Sequence, residues 1–418
     1  MALMSPPQRQ AWKILVALTV IQLFMFGPTS GTMGVFILPF IKEFGWSHEQ
    51  ASRIATAYAL AMGASALCSG WLLDHISARW VVALGIISAA VGCLLGSHVH
   101  ALTPLVLCYA MMGVGASFAA WVPIYVLGTS WFPNRRALAI GIAGMGVAIG
   151  MALAPRILTT IIAHAGWRVA MRAVAVPMLL VALPIDLLLI SGRPAGQIAS
   201  RARPAQELPG LDLGPALRTS AYWLVVAVAF FSALGQGAGY VHAIPFLVGS
   251  GYTAGAAASI FGIQAFLSGV GMILAGALAD RYGPKLMTAV TLALLAVGLL
   301  SILAVRDPHW RLTATLTYII LWGLDMGYRG VLPVLMLEAL GPRRFATLSG
   351  GFSCADALGH ASGPIVAGLL FDLTRSYTLA FELAGGVILL SALLSAMVFP
   401  AKWRNAAPPS VDLAAGTG

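Results

Sequence analysis

Charge is what this sequence has least of. Only 9% of its 418 residues are Asp, Glu, Lys or Arg, where soluble domains average about 25%. A chain so poor in charge cannot cover a water-facing surface. Its 59% hydrophobic residues and mean hydropathy of +0.89 place it in a membrane instead. Cysteine is scarce too. Cys68, Cys93, Cys108 and Cys354 all fall in apolar stretches and read as small buried residues, not as a disulfide framework or metal site. No Gly-x-x-x-x-Gly-Lys-Ser/Thr run occurs, which excludes ATP as a driver. No nucleophile elbow or metal-ligand cluster is present, so the chain does not read as an enzyme and no cofactor is expected. The formal net charge of +10 is spread singly and in pairs between apolar runs. That is the pattern of membrane topology and not of a nucleic-acid partner. Met1–Gln10 is short and polar and offers no cleavable signal.

Long apolar runs are what the chain does have. Ile14–Ile41 and Thr219–Ala279 contain no Asp, Glu, Lys or Arg, and a membrane span needs about 20 apolar residues. Charges and turns divide the chain into twelve predicted spans: 14–40, 50–73, 80–98, 103–130, 137–163, 168–192, 220–248, 254–279, 286–305, 312–338, 346–371 and 376–400. Gly192–Arg218 carries four Arg and four Pro and has no apolar run. The expected fold is an all-α membrane protein with two six-helix bundles: residues 1–192, a cytoplasmic linker 193–219, and residues 220–418 with a short cytoplasmic tail. With the N-terminus inside, fifteen basic residues lie on that side against seven on the other. Both termini are therefore expected in the cytoplasm, in a cell inner (plasma) membrane.

The halves repeat each other. Pro39-Phe40 and Gly45-Trp46-Ser47 recur as Pro245-Phe246 and Gly251-Tyr252-Thr253, and Gly70-x-x-x-Asp74 as Gly276-x-x-x-Asp280, both at an offset of 206. Gly113 and Pro123 recur as Gly323 and Pro333, offset 210; Gly141, Gly150 and Pro155 recur as Gly350, Gly359 and Pro364, offset 209. Four matches in one order at nearly constant offset indicate an internal duplication.

Twelve spans, a duplicated six-helix unit and a polar central linker resemble the major facilitator superfamily. Gly70-Trp-Leu-Leu-Asp74-His-Ile-Ser77-Ala-Arg79 stands where that superfamily has its helix 2–3 signature, with Ser77 in place of a Gly. Gly276-Ala-Leu-Ala-Asp280-Arg281-Tyr-Gly283-Pro-Lys285 is a closer copy between helices 8 and 9. Within the superfamily, two segments resemble the monocarboxylate transporter and oxalate–formate antiporter branch. They are Gly34-Val-Phe-Ile-Leu-Pro-Phe-Ile-Lys-Glu43-Phe-Gly-Trp-Ser47 and Trp131-Phe-Pro-Asn-Arg135-Arg136-Ala-Leu-Ala-Ile-Gly141. Members of that branch commonly carry an Arg in helix 8, with an acid or amide one turn earlier. Met272 and Ser268 occupy those places here.

Ionisable residues inside spans concentrate in the second half. The tenth span holds Asp325 and Arg329 and the eleventh holds Asp356 and His360, each pair four apart and so on one helical face. His242 and Gln264 lie in the seventh and eighth. The first-half lining is apolar or weakly polar, with Thr29, Ser30, Thr32, Tyr58, Ser117, Trp121 and Tyr125. An ionised group at mid-bilayer costs about 2.5–3.5 kcal/mol on insertion scales, so such groups face a wet cavity or one another.

The expected activity is secondary active transport of a small, monocarboxylate-like organic anion by alternating access, coupled to protons and carried out by a monomer in the lipid bilayer. Arg329, Tyr328, His242, Gln264 and Ser353 are the candidate substrate-binding residues. Asp325, Asp356 and His360 are the candidate proton-coupling residues, with Asp325 balancing Arg329 in the empty state. Asp74, Arg79, Asp280, Arg281, Arg135, Arg136, Arg343 and Arg344 are the candidate gate residues, the acids latching cytoplasmic helix ends or basic side chains. Efflux of an amphipathic drug, siderophore or metabolite, a non-transporting membrane sensor, and a purely structural ion-pair network are the competing readings.

Overall fold

The computed structural model describes residues 6–191, 209–324 and 327–399. Among these, twelve helices are long and apolar enough to cross a membrane. In the first half they are α1 (Gln8–Ser30), α2 (Arg53–His75), α3 (Ala78–Gly96), α4 (Leu102–Trp131), α5 (Arg136–Ala165) and α6 (Trp167–Leu189). In the second half they are α7 (Ser220–Gly249), α8 (Gly255–Tyr282), α9 (Pro284–Arg306), α10 (Arg311–Leu340), α11 (Phe345–Thr374) and α12 (Thr378–Ala396).

The structure departs from the sequence expectation at the first span and at Cys68. The first span is not continuous to residue 40. It ends at Ser30, turns at Gly31 and Thr32, and restarts as a separate helix over Met33–Phe44. Asp186, near the end of α6, is fully buried, and neither carboxylate oxygen has a hydrogen-bond partner. Cys68, expected inside, is exposed; all four cysteines are free.

The repeated motifs have local physical reasons. Gly45 ends the Met33–Phe44 helix in the left-handed region at φ 67°, and Ser47 opens the next helix with a capping box to Gln50. In the second half Gly251 lies at φ 92° and Thr253 accepts from the Ala256 N–H. Each motif stops one helix and starts the next within three residues. The repeated glycines serve close helix crossings. A Cβ at Gly150 would strike the Leu23 carbonyl on α1, and one at its counterpart Gly359 would strike the Phe230 carbonyl on α7.

Contacts between the halves concentrate at the end of the bundle that holds the first turn of α1. There α2 meets α11 through Gly70, Ala66, Ala346 and Gly350, and α5 meets α8 through Ala137, Gly141, Met272 and Gly276. These small residues bring backbone against backbone. The end of the linker packs at the same end. The Leu211 N–H donates to the Leu340 carbonyl, and Asp212 pairs with Arg343 at 2.8 Å and Arg344 at 3.4 Å. Toward the opposite end the halves diverge around a cavity of about 800 Å³.

Candidate functional site

The cavity floor sits near mid-depth. Arg329 is eleven residues from the last residue of α10, roughly 16 Å along the helix axis. Its side chain is only 8% exposed, so its charge cannot rely on water. The guanidinium reaches across to α11, where Nη1 meets Asp356 Oδ2 at 2.7 Å. Nη2 donates toward the His360 imidazole at 3.3 Å and toward Gln236 Oε1 on α7 at 3.4 Å. The Tyr328 hydroxyl donates to Asp356 Oδ1 at 3.2 Å and Gln236 Oε1 at 3.3 Å. Arg329 Nε is buried with no partner. On the first-half side the Trp121 ring centroid lies 5.7 Å from the guanidinium carbon, within cation–π range.

With His360 neutral, one guanidinium and one carboxylate make this cluster electroneutral. It can accept an added anion if Asp356 takes up a proton, because the guanidinium fork then suits the incoming carboxylate.

The structure divides the predicted substrate and proton residues into three groups. Arg329, Ser353, Asp356 and His360 line the cavity together. Tyr328 is fully buried one layer behind, holding Asp356. His242 and Gln264 do not line it. The His242 ring bonds the Pro364 carbonyl at 3.1 Å and tilts over Tyr377, while Gln264 is fully buried with both amide atoms unpartnered. Asp325 lies outside the described residues; the partner that Arg329 meets here is Asp356 on the neighbouring helix. Of the expected first-half lining, Ser30, Tyr58, Ser117, Trp121 and Tyr125 border the cavity. Thr29 and Thr32 do not; Thr29 instead meets the Tyr58 hydroxyl at 3.0 Å. Gln236 was not singled out from the sequence. Its one signal was an amide inside a charge-free apolar run.

At the closed end two aspartates reach from one half to a helix start in the other. Asp74 on α2 accepts from the Thr347 backbone N–H at 3.0 Å and from its hydroxyl at 2.6 Å, in the first turn of α11. Asp280 on α8 accepts from the Ala137 and Leu138 N–H groups at 3.1 and 3.0 Å, in the first turn of α5. The charges of Arg135 and Arg136 also act on Asp280. The arginines do not all share this role. Arg79 donates to the Ile190 carbonyl at 2.7 Å within its own half, Arg281 lies over the neighbouring Tyr282 ring, and Arg343 and Arg344 pair with the linker's Asp212.

A family model described as Major Facilitator Superfamily matches residues 18–350. Monocarboxylate transporter 6 of Mus musculus is 27% identical over 95% of this chain and 88% of its own length. Monocarboxylate transporter 13 of Rattus norvegicus is 27% identical over 90% and 86%. Among solved structures, the E. coli fucose:proton symporter superposes with a TM-score of 0.71 at 15% identity, covering 93% of this chain and 100% of its own. A proton:xylose symporter reaches 0.75 at 12% identity, covering 94% and 97%.

Proposed function

From its membership of the major facilitator superfamily, to which this chain belongs, we propose that it carries a small organic monoanion across the membrane, coupled to protons. The observation that carries this reading is Arg329, a guanidinium on the wall of a mid-depth cavity, held by a carboxylate that a substrate can replace. Asp356 is the proton acceptor and His360 its neighbour in the exchange. Proton uptake by Asp356 releases Arg329, the substrate carboxylate takes its place, and the neutral overall charge survives the swap. The names of the relatives similar to this chain, monocarboxylate transporters, agree with an anion of that class.

The open end of the cavity faces away from the cytoplasm in this reading, with both termini and the linker inside a plasma membrane. Asp74 and Asp280 are the gate residues. Each places a carboxylate at a helix N-terminus, where exposed N–H groups and the helix dipole favour negative charge. Both bonds join opposite halves, so both break when the halves rock and the inner end opens. One chain supplies the cavity and both latches, so a monomer suffices. The test is uptake of labelled monocarboxylates into proteoliposomes with and without a pH gradient. Uptake that depends on the gradient and disappears in Arg329→Gln is expected; gradient-independent uptake removes proton coupling from the reading.

A further inference from the structure

The site described above does not by itself set the size of the anion. We infer that the substrate is an amphipathic monocarboxylate with an aromatic or similarly bulky apolar tail, not a two- or three-carbon acid. This rests on the reading of Arg329 as the carboxylate anchor.

Volume is the first argument. A cavity of about 800 Å³ lies within the range of about 300–1,000 Å³ that drug-sized ligands occupy. A lactate-sized solute would leave most of it to water against hydrocarbon walls.

Charge is the second. Arg329 is the only Lys or Arg among the described lining residues, and Asp356 already holds it. One anchor suits one carboxylate, and a second anionic group would find no cation. The guanidinium anchor takes the carboxylate of a short acid and of a long one alike, so it selects for the acid group without distinguishing tails. The difference in affinity between acids must come from apolar surface removed from water.

The wall supplies that surface in the right place. Trp121 lies beside the guanidinium, with Phe26 edge-on to it at 5.9 Å and Tyr125 stacked on it at 6.0 Å. Phe352 extends the stack from Tyr125 at 5.4 Å. These rings favour aromatic partners in offset or edge-on contact. Met62 and Met151 also line the cavity, and their flexible thioethers fit tails of varied shape. A ligand with its carboxylate on Arg329 would therefore lay its tail along the aromatic wall that Phe26, Trp121 and Tyr125 of the first half form with Phe352 of the second.

The experiment is calorimetric titration of the purified full-length protein in lipid nanodiscs with lactate, 3-phenylpropionate, 3-phenylpropionamide and homophthalate. The expected result is 3-phenylpropionate binding at least about tenfold tighter than lactate, with the amide and the dicarboxylate both weaker than 3-phenylpropionate. Trp121→Leu should narrow the gap between the two monocarboxylates, but the panel on the unaltered protein decides without that variant. Lactate binding as tightly as 3-phenylpropionate overturns the tail and leaves the Arg329 anchor standing. The amide binding as tightly as the acid overturns the anchor, and this inference with it. Homophthalate binding tightest overturns the single-charge argument. Binding of none of the four overturns both this inference and the monocarboxylate reading.

Discussion

At the scale of single residues, Arg329 separates a binding role from a structural one. Removing one partner of a buried ion pair leaves the other charge stranded, at a cost of about 3–5 kcal/mol. Arg329→Gln should therefore lower stability by roughly that amount, read as an earlier thermal unfolding transition in detergent. Combining it with Asp356→Asn removes both charges and should recover most of the loss. If the pair only ties α10 to α11, the double variant transports normally. If Arg329 holds the anion, the double variant is stable and silent. Arg329→Lys keeps a charge but lacks the planar fork, so it should bind the anion more weakly than the wild type.

Glu43 gives a second residue-scale test. It accepts from Trp167 Nε1 and pairs with Arg168, joining the Met33–Phe44 helix to α6. Burial pushes its carboxyl up, but the bonds from Trp167 and Arg168 and the Arg168 charge outweigh that and hold it below its ordinary value. A depressed carboxyl stabilises the fold above its ordinary range and loses that contribution only as pH falls through its folded-state value. The clasp therefore stays ionised from about pH 5 to 8, the range over which transport coupling would be measured. Glu43→Gln should leave the pH profile of uptake unchanged there. A shifted profile would make the clasp, and not the cavity cluster, the proton sensor.

What the sequence shows at this scale follows from spacing alone. A separation of four puts Asp356 and His360 on one face, and both do line the cavity. Spacing does not say which neighbouring helix a long side chain will reach. Arg329 crosses to α11, and the amide that joins it, Gln236, comes from α7. His242 and Gln264 are polar at the right depth but turned from the cavity, because depth is readable in one dimension and helix rotation is not.

At the scale of elements, Asp74 and Asp280 each cap a helix of the other half. Losing an N-terminal cap costs typically about 1 kcal/mol, or roughly fivefold in a two-state equilibrium. Asp74→Ala and Asp280→Ala should each shift the chain about fivefold toward an open inner end, and together about 25-fold, since each acid caps a different helix. The measurement is the labelling rate of Ser349→Cys. Ser349 is fully buried and lies on α11 between Ala346, at the crossing, and Ser353, in the cavity wall. Unchanged labelling in the double variant would remove both aspartates from the gate. These elements were the most legible part of the chain. Gly70-x-x-x-Asp74 and Gly276-x-x-x-Asp280 each pair a close-crossing glycine with a capping acid one turn later. That repeat survives in sequence because both parts demand particular residues. The linker's Asp212 gave no such signal, since its partners Arg343 and Arg344 follow α10, more than a hundred residues away.

At the scale of the whole molecule, one equilibrium should govern both ends. The duplicated halves pack tightly at one end and part at the other, so rigid rocking must open one as it closes the other. A single substitution at the closed end tests this. A Cβ at Gly70 would collide with the Ala346 carbonyl oxygen on α11, which is backbone and cannot swing away. Gly70→Ala lies inside a helix, where alanine is better than glycine by about 0.5–1 kcal/mol, so the helix itself is not harmed. The collision falls on the closed state alone. The reporters are Ser349→Cys at the closed end and Gly34→Cys at the cavity mouth, where an added Cβ meets nothing within 4 Å. Both go into a background with Cys68, Cys93, Cys108 and Cys354 replaced by Ser or Ala. With glycine at 70, a membrane-impermeant thiol reagent should label Gly34→Cys from outside the cell, while Ser349→Cys stays protected from the cytoplasmic side. With alanine at 70 the pattern should invert: Gly34→Cys slows, Ser349→Cys becomes reactive from the cytoplasmic side, and transport falls because the outward state is lost. If Ser349→Cys becomes reactive while Gly34→Cys labels as before, the ends open independently and the halves do not rock as rigid bodies. If Gly34→Cys labels only from the cytoplasmic side, the orientation drawn from the basic residues is reversed.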